Sequence, residues 1–463
     1  MSPLLLGIAA YILVQLLIAF AVSRRIRSES DYLLAGRRLG LAIGTFTIFA
    51  TWFGAETVVG AAGSIYADGL AGGAAEPFAY GATLLFMGLA YAAPLWRRGL
   101  TTFADLFRER YSATVERLVV LLVVPGSVMW AAAQIRAFGQ VISASSAFEV
   151  EFAITLAAAV VIVYTVYGGL MADAVTDIVQ GVALIVGLAI LFVAVAAALD
   201  GFGHALAAVP AERLQPLGGP QSPSGLALIE RWAIPLCGSV LSQELIARVL
   251  AARSPEVARR ATLLGAGLYV AVGCIPVFLG LVGASLLPAL AEPEQVVARL
   301  AQQYLPTFLY VAFAGALVSA ILSTVDSALL AAAALTSHNL VVPLMPNLGE
   351  RAKVRAARLG VLVFGVIAYA LALHADGVYE LVLEASAFGS AGVFVVGTFA
   401  LFSRVGDAGA AMAGLVAGLV SWIAAAYLLD LPYPYLASLA ASFVTYVGAA
   451  ALERRSAALA RTG

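Results

Sequence analysis

Residues 41–66 read LAIGTFTIFATWFGAETVVGAAGSIY, 26 residues that are apolar enough to cross a bilayer but poorly made for an uninterrupted helix. Glycines stand at 44, 54, 60 and 63, the small residues Ala50, Thr51 and Ala55 lie close to Gly54, and Trp52 and Glu56 flank it. Backbone released from helical bonds inside a membrane persists only where it lines a cavity or is buried in protein. Such a span reads as a discontinuous helix whose loosened carbonyls face an ion, with a binding site near the midplane. A glycine-rich helix packed tightly on its neighbours, with Glu56 simply paired, accounts for the same residues equally well. Glu56 lies about 22 Å along the span at 1.5 Å per residue. Bare in lipid it would cost at least about 2.5 kcal/mol, so it must be paired, protonated or facing water. Arg136, at comparable depth in its own span, is a partner that would make Glu56 a strut; left free, Glu56 would face a cationic solute.

Working outward, composition excludes the soluble globular classes. Of the 463 residues, 62% are hydrophobic and 11% charged, and the mean hydropathy is +0.98. Both cysteines, Cys237 and Cys274, fall in apolar stretches, so neither a disulfide framework nor a zinc-finger spacing exists. Residues 3–23 are long enough to span and precede a charged loop without a small-residue cleavage site, which reads as a first transmembrane helix rather than a removed signal.

Thirteen apolar spans are predicted, near 3–23, 41–66, 73–96, 118–146, 151–168, 172–199, 226–250, 261–287, 305–336, 354–374, 378–402, 408–429 and 433–452. Of the 26 Lys and Arg, 22 fall in alternate loops and the C-terminal tail: 24–38, 97–117, 248–260, 351–358, Arg404 and 454–461. The opposite loops hold Arg213, Arg231 and Arg299. The asymmetry places the N-terminus outside and the C-terminus in the cytoplasm of a plasma (bacterial-type inner) membrane.

The span 226–250, LALIERWAIPLCGSVLSQELIARVL, carries Pro235, Gly238, Ser239, Ser242, Gln243 and Glu244 in mid-course. It is a second interrupted span, five spans after the first. Two interrupted spans at matching places suggest an inverted repeat, with halves 41–199 and 226–402. An extra helix and loop, 1–40, would precede them, an external loop, 200–225, would join them, and two further helices with a short tail, 403–463, would follow. Two more segments carry polar groups into the membrane. In YTVYGGLMADAVTDIVQ (164–180), a turn at Gly168–Gly169 is followed by Asp173 and Asp177. Asp173 suits the first turn of a helix, where the dipole favours a carboxylate. Asp177 lies deeper and is a functional candidate. In ALVSAILSTVDSALL (316–330), Ser319, Ser323, Asp326 and Ser327 share one helical face, with Thr324 beside them. Hydroxyls of this kind often bond only to their own helix or a neighbour, but packing does not need Asp326.

Taken together, SDYLLAGRRLG (30–40), ATWFGAETVVG (50–60), YTVYGGLMADAVTDIVQG (164–181) and SAILSTVDSALLAAAALT (319–336) resemble the sodium/solute symporter family. Its members include proline permease and the sugar, sialic acid and high-affinity choline transporters. The likeness runs over roughly 20–450. It implies an all-α membrane protein of the leucine-transporter-type fold, with 13 transmembrane helices, two inverted five-helix repeats and alternating access.

For the sites, the resemblance implies a sodium ion held by carbonyls of Ala50 and Phe53 together with Ala320, Ser323 and Thr324. A second sodium, or a proton, would lie among Asp177, Asp326, Ser327 and Ser323. Within the family the chain most resembles the choline-transporter branch, sharing Trp52, Tyr80 and Trp130 as sides of an aromatic box. Ring faces present negative charge to a cation. The chain departs from that box at Ser242 and Val382, where the branch has tryptophans, and adds Glu56, Glu76, Gln134 and Arg136. The expected solute-binding set is Trp52, Glu56, Thr57, Tyr80, Trp130, Gln134, Ser242 and Gln243. Ordinary interhelical packing would also explain Tyr80 and Trp130.

The expected protein is therefore a sodium-coupled symporter for a small organic solute, with an amine, a choline-like cation or an amino acid favoured. The alternatives are a neutral or anionic solute, or a transporter-like membrane sensor acting with a partner. No HExxH or GxSxG stands within a span, and His204, His338 and His374 lie at loops or helix ends, so an enzyme is not expected. The expected partners are the solute and the bilayer, with no nucleic acid.

Overall fold

The computed structural model describes residues 26–462 apart from 74–75, 145–147, 217–224, 346 and 376, and of the first span only 13, 14, 17, 20 and 21. The side chains of 144, 164, 168, 319 and 456–462 also lie outside the described set, Ser319 among them. Within that set the chain is nearly all helical, and its one isolated bridge is parallel, Leu39 to Ala252.

Apolar runs bounded by Gly, Pro and charged turns produce the helices. In chain order these are α1 (Leu41–Trp52), α2 (Glu56–Ala71), α3 (Phe78–Arg98), α4 (Ala113–Ala144), α5 (Val150–Tyr167) and α6 (Gly169–Ala198). There follow α7 (Gly225–Ser239), α8 (Gln243–Ala251), α9 (Pro255–Leu286), α10 (Thr307–Thr336), α11 (Glu350–His374), α12 (Val378–Ala387) and α13 (Ser390–Phe402). The last two are α14 (Ala408–Leu428) and α15 (Pro434–Arg455).

Nine helices among the described residues are long and apolar enough to cross a membrane, or twelve if each bent pair is one span. The pairs are α1–α2, bent by 51°, α7–α8, bent by 47°, and α12–α13, bent by 43°. These twelve coincide with the spans expected from 41 onward. The thirteenth, at 3–23, lies largely outside the described residues. The first two bends fall in the spans that hydropathy and glycine content marked as interrupted. The third, at Phe388–Gly389, lies in a span not expected to break, although Glu384, Ser386 and Ser390 flank it; Gly389 has φ +66°, a conformation that a side chain resists.

Helix α10 is the axis of the bundle, packed against α4, α5, α6 and α11. Helix α1 lies between α6 and α9, while α14 and α15 pack mainly on each other. Leu121, Val193 and Val363 project apolar side chains outward, as a surface facing lipid requires. Helices α5 and α6 join with no loop at all. Gly169, at φ +64° and ψ 172°, turns the chain in one residue, and a Cβ there would lie 2.7 Å from the Tyr32 ring.

Candidate functional site

The α1–α2 break runs through Phe53, Gly54 and Ala55. Interrupting a helix frees backbone groups that need partners in an apolar interior. Gln134 on α4 supplies one, since the Ala55 N–H donates to its Oε1 at 2.9 Å. The other end of the same amide donates to Glu56 Oε2 at 2.5 Å. A Cβ on Gly54 would lie 2.6 Å from Glu56 Oε2, 2.7 Å from Thr324 Oγ1 and 2.9 Å from Gln134 Oε1. Three oxygens therefore crowd the bare face of Gly54, and only glycine admits them. Glu56 is buried with Gln134, while Arg136 donates to the Ala372 carbonyl at 3.3 Å.

Thr324 on α10 meets this break. Its Oγ1 lies 3.4 Å from the Ala50 carbonyl and 3.3 Å from the Ala320 carbonyl. Ala50, Ala320 and Thr324, three members of the first sodium set, thus converge as an all-oxygen group of the kind a hard cation prefers. Phe53 sits at the break itself, its N–H bonded to the Phe49 carbonyl at 2.8 Å. The Ser323 hydroxyl turns the other way, donating to Asp177. Asp177 also takes the Thr47 hydroxyl at 2.5 Å, so one carboxylate links α1, α6 and α10.

Asp326 and Ser327 sit further along α10, facing Thr165 on α5 and Asp173 on α6. Asp326 accepts from Thr165. Ser327 donates to Asp173 Oδ2 at 3.1 Å. Arg248 on α8 donates to both Asp173 and Ser327. Sequence grouped Arg248 with the loop 248–260, but it is 1% exposed and Asp173 is 3% exposed, a fully buried ion pair. Asp173 is likewise more than a first-turn carboxylate: it is the counter-ion of that arginine. Five elements, α1, α5, α6, α8 and α10, meet in this polar cluster.

A cavity opens on the other side of Trp52, between α1, α3, α4, α7–α8 and α12–α13. Trp52, Tyr80 and Trp130 form its aromatic walls. The Trp52 ring stands edge-to-face to Tyr80 at 5.8 Å and to Trp130 at 6.0 Å between centroids. The Tyr80 hydroxyl is 3.1 Å from Ser386 Oγ, which also accepts from Ser239 at 3.1 Å. Ser242, Val382 and Glu244 complete the wall. Ser242 and Val382, the two positions at which the expected aromatic box was interrupted, both line this cavity.

Of the expected solute-binding residues, the structure brings Trp52, Tyr80, Trp130 and Ser242 to the cavity. It places four elsewhere. Glu56 and Gln134 brace the break. Thr57 Oγ1 lies 3.3 Å from Glu76 Oε2 and 2.9 Å from the Tyr269 hydroxyl, which donates to Glu76 at 2.6 Å. Gln243 Oε1 accepts from the Phe103 N–H at 2.7 Å and so anchors the 99–103 turn to α8. The carboxylate on the cavity wall is Glu244, which sequence placed in an interrupted span without assigning it a role.

Two broken helices crossing beside an oxygen cluster, with an aromatic cavity at their meeting point, are the working parts of a secondary transporter. The chain belongs to the sodium:solute symporter family: residues 32–418 match the family model of that description. It is a multi-pass membrane transporter family. The chain is 29% identical over 410 residues to the high affinity choline transporter 1 of Homo sapiens, covering 85% of this chain and 70% of that one. It is 27% identical over 444 residues to a sodium/proline symporter of Staphylococcus aureus, covering 90% and 85%. The chain spans 59% to 70% of the length of the choline-transporter relatives it matches. A solved sodium-coupled sialic acid symporter, substrate-bound and outward-open, matches with a TM-score of 0.85 at 17% identity over 97% of each chain. The nucleobase-cation symporter Mhp1 matches with a TM-score of 0.62 at 15% identity, covering 93% of this chain and 96% of that one. These likenesses show the fold, which is of the leucine-transporter type.

Proposed function

We propose that the chain is a sodium-coupled symporter that imports a small organic solute by alternating access, with an amine, a choline-like cation or an amino acid as the favoured solute. The observation that carries this reading is the cavity walled by Trp52, Tyr80 and Trp130 at the junction of the two broken helices, one side chain away from the Ala50–Ala320–Thr324 oxygens. Trp52 ends α1 directly beside the break, so an ion that orders the carbonyls there also sets the ring against which the solute packs. Coupling then needs no long-range relay. The relatives named as choline transporters and sodium/proline symporters support the same class of cargo.

The repeats are 41–199 and 226–402, with α1–α2 and α7–α8 as their opening broken spans. The arginine-rich loops face the cytoplasm of the plasma membrane and the N-terminus lies outside. A second cation, sodium or a proton, belongs among Asp177, Asp326 and Ser327. Thermal denaturation of the purified protein tests the reading. Sodium alone raises the melting temperature, and an amine raises it further only when sodium is present. Equal stabilisation by amines in sodium and in choline-free potassium buffer would contradict sodium coupling.

A further inference from the structure

Glu244 is the second residue of α8 and 2% exposed. It is the one charged side chain among the described residues that line the aromatic cavity. The Ser127 and Ser242 hydroxyls lie beside its carboxyl, yet Oε1 makes no well-formed hydrogen bond, nor does Ser242 Oγ, nor Trp52 Nε1 on the same cavity wall. Buried polar atoms of a native protein are almost always paired, so unpaired ones that line a cavity mark where a ligand supplies the partner. The nearest cation in sequence is already engaged: Arg248 directs its guanidinium at Asp173 and Ser327 and returns only Nη1, to the Glu244 carbonyl at 3.1 Å. The first turn of α8 favours a negative charge at this position. Ionised, the carboxyl of Glu244 would set a like charge against an anionic solute group placed there.

We propose that Glu244 takes the protonated nitrogen of the solute, and that the solute is an amine carrying at least one N–H rather than a quaternary ammonium ion. This rests on the reading of the cavity as the solute site and sharpens its cargo class. An ammonium N–H gives Oε1 the donor it lacks, in a charge-assisted hydrogen bond, while Trp52, Tyr80 and Trp130 receive the alkyl or cationic face. A trimethylammonium group offers no donor. It would leave Oε1 unpaired, with methyl groups filling the space where the bond should form. Ser242 and Val382, which also line the cavity, offer no aromatic surface to compensate such a cation.

The test is calorimetric binding of four probes to the purified full-length chain, with and without sodium: ethanolamine and its N-methyl, N,N-dimethyl and N,N,N-trimethyl derivatives. The trimethyl member is expected to bind about tenfold or more weakly than the best member that retains an N–H. Glu244→Gln should weaken the N–H-bearing members about tenfold or more and the trimethyl member far less. Glu244→Asp, which keeps the charge one methylene back, should fall between, and sodium should still raise the melting temperature of both variants. Tightest binding by the trimethyl member, an equal loss for all four probes in Glu244→Gln, or no loss at all would overturn the proposal. No binding of any probe at millimolar concentration, with the sodium shift intact, would overturn it while leaving sodium symport standing. The expected ladder without any sodium effect would support it and remove sodium coupling instead.

Discussion

Arg248→Ala is expected to destabilise the protein by about 3–5 kcal/mol, the cost of leaving one member of a buried ion pair without its partner. Arg248 and Asp173 are both buried, and Ser327 completes the contact. Without the guanidinium, the Asp173 carboxylate is left facing Ser327 in a region that also holds Asp177 and Asp326. Three carboxylates would then share an apolar interior with no cation of their own. The double variant Arg248→Met with Asp173→Leu should recover most of the loss, because similar-sized apolar side chains often replace a buried pair at little cost. Thermal denaturation of the single and double variants in detergent checks this. A single variant as stable as the wild type, or a double variant less stable than Arg248→Ala, would show that the pair does not hold α8 to α6 and α10.

The second large effect concerns the ion. Replacing Ser323 and Thr324 together with alanine should raise the sodium concentration needed for half-maximal uptake by roughly 5- to 150-fold, the equivalent of about 1–3 kcal/mol. The two residues act by different routes. Thr324 removes an oxygen lying against Ala50 and Ala320. Ser323 instead deprives Asp177 of a hydroxyl donor. Thr324→Ala alone should therefore account for most of the change, with the protein still present in the membrane. Unchanged sodium dependence in the double variant would remove both residues from the ion's path.

Much of the architecture was legible because membrane helices announce themselves by local composition. The glycines around Trp52 and the polar run from Gly238 to Glu244 located two of the three bends. Arginine grouping failed at Arg248 because its burial is decided by Asp173, 75 positions away in sequence. No local count of charge sees such a partner. That Glu244 and not Glu56 lines the cavity was hidden for a related reason. Both stand in interrupted spans, and which one faces the cavity depends on how each half-helix is rotated after its break. In α2 that rotation carries Glu56 to Gln134, whereas α8 presents Glu244 to the aromatic wall. Spacing within a span does not encode it. Trp52, Tyr80 and Trp130 were grouped by the resemblance to the choline-transporter branch, not by spacing, and the three rings, from three helices, do meet.

In a sodium symporter, movement of sodium down its gradient drives movement of the solute. This coupling is tested most directly with the protein reconstituted in liposomes loaded with potassium, by following uptake of labelled N-methylethanolamine after dilution into sodium buffer. The label should accumulate above its external concentration, and that accumulation should be abolished when potassium replaces external sodium or when an ionophore collapses the sodium gradient. Uptake of the same extent with no sodium gradient would contradict the coupling.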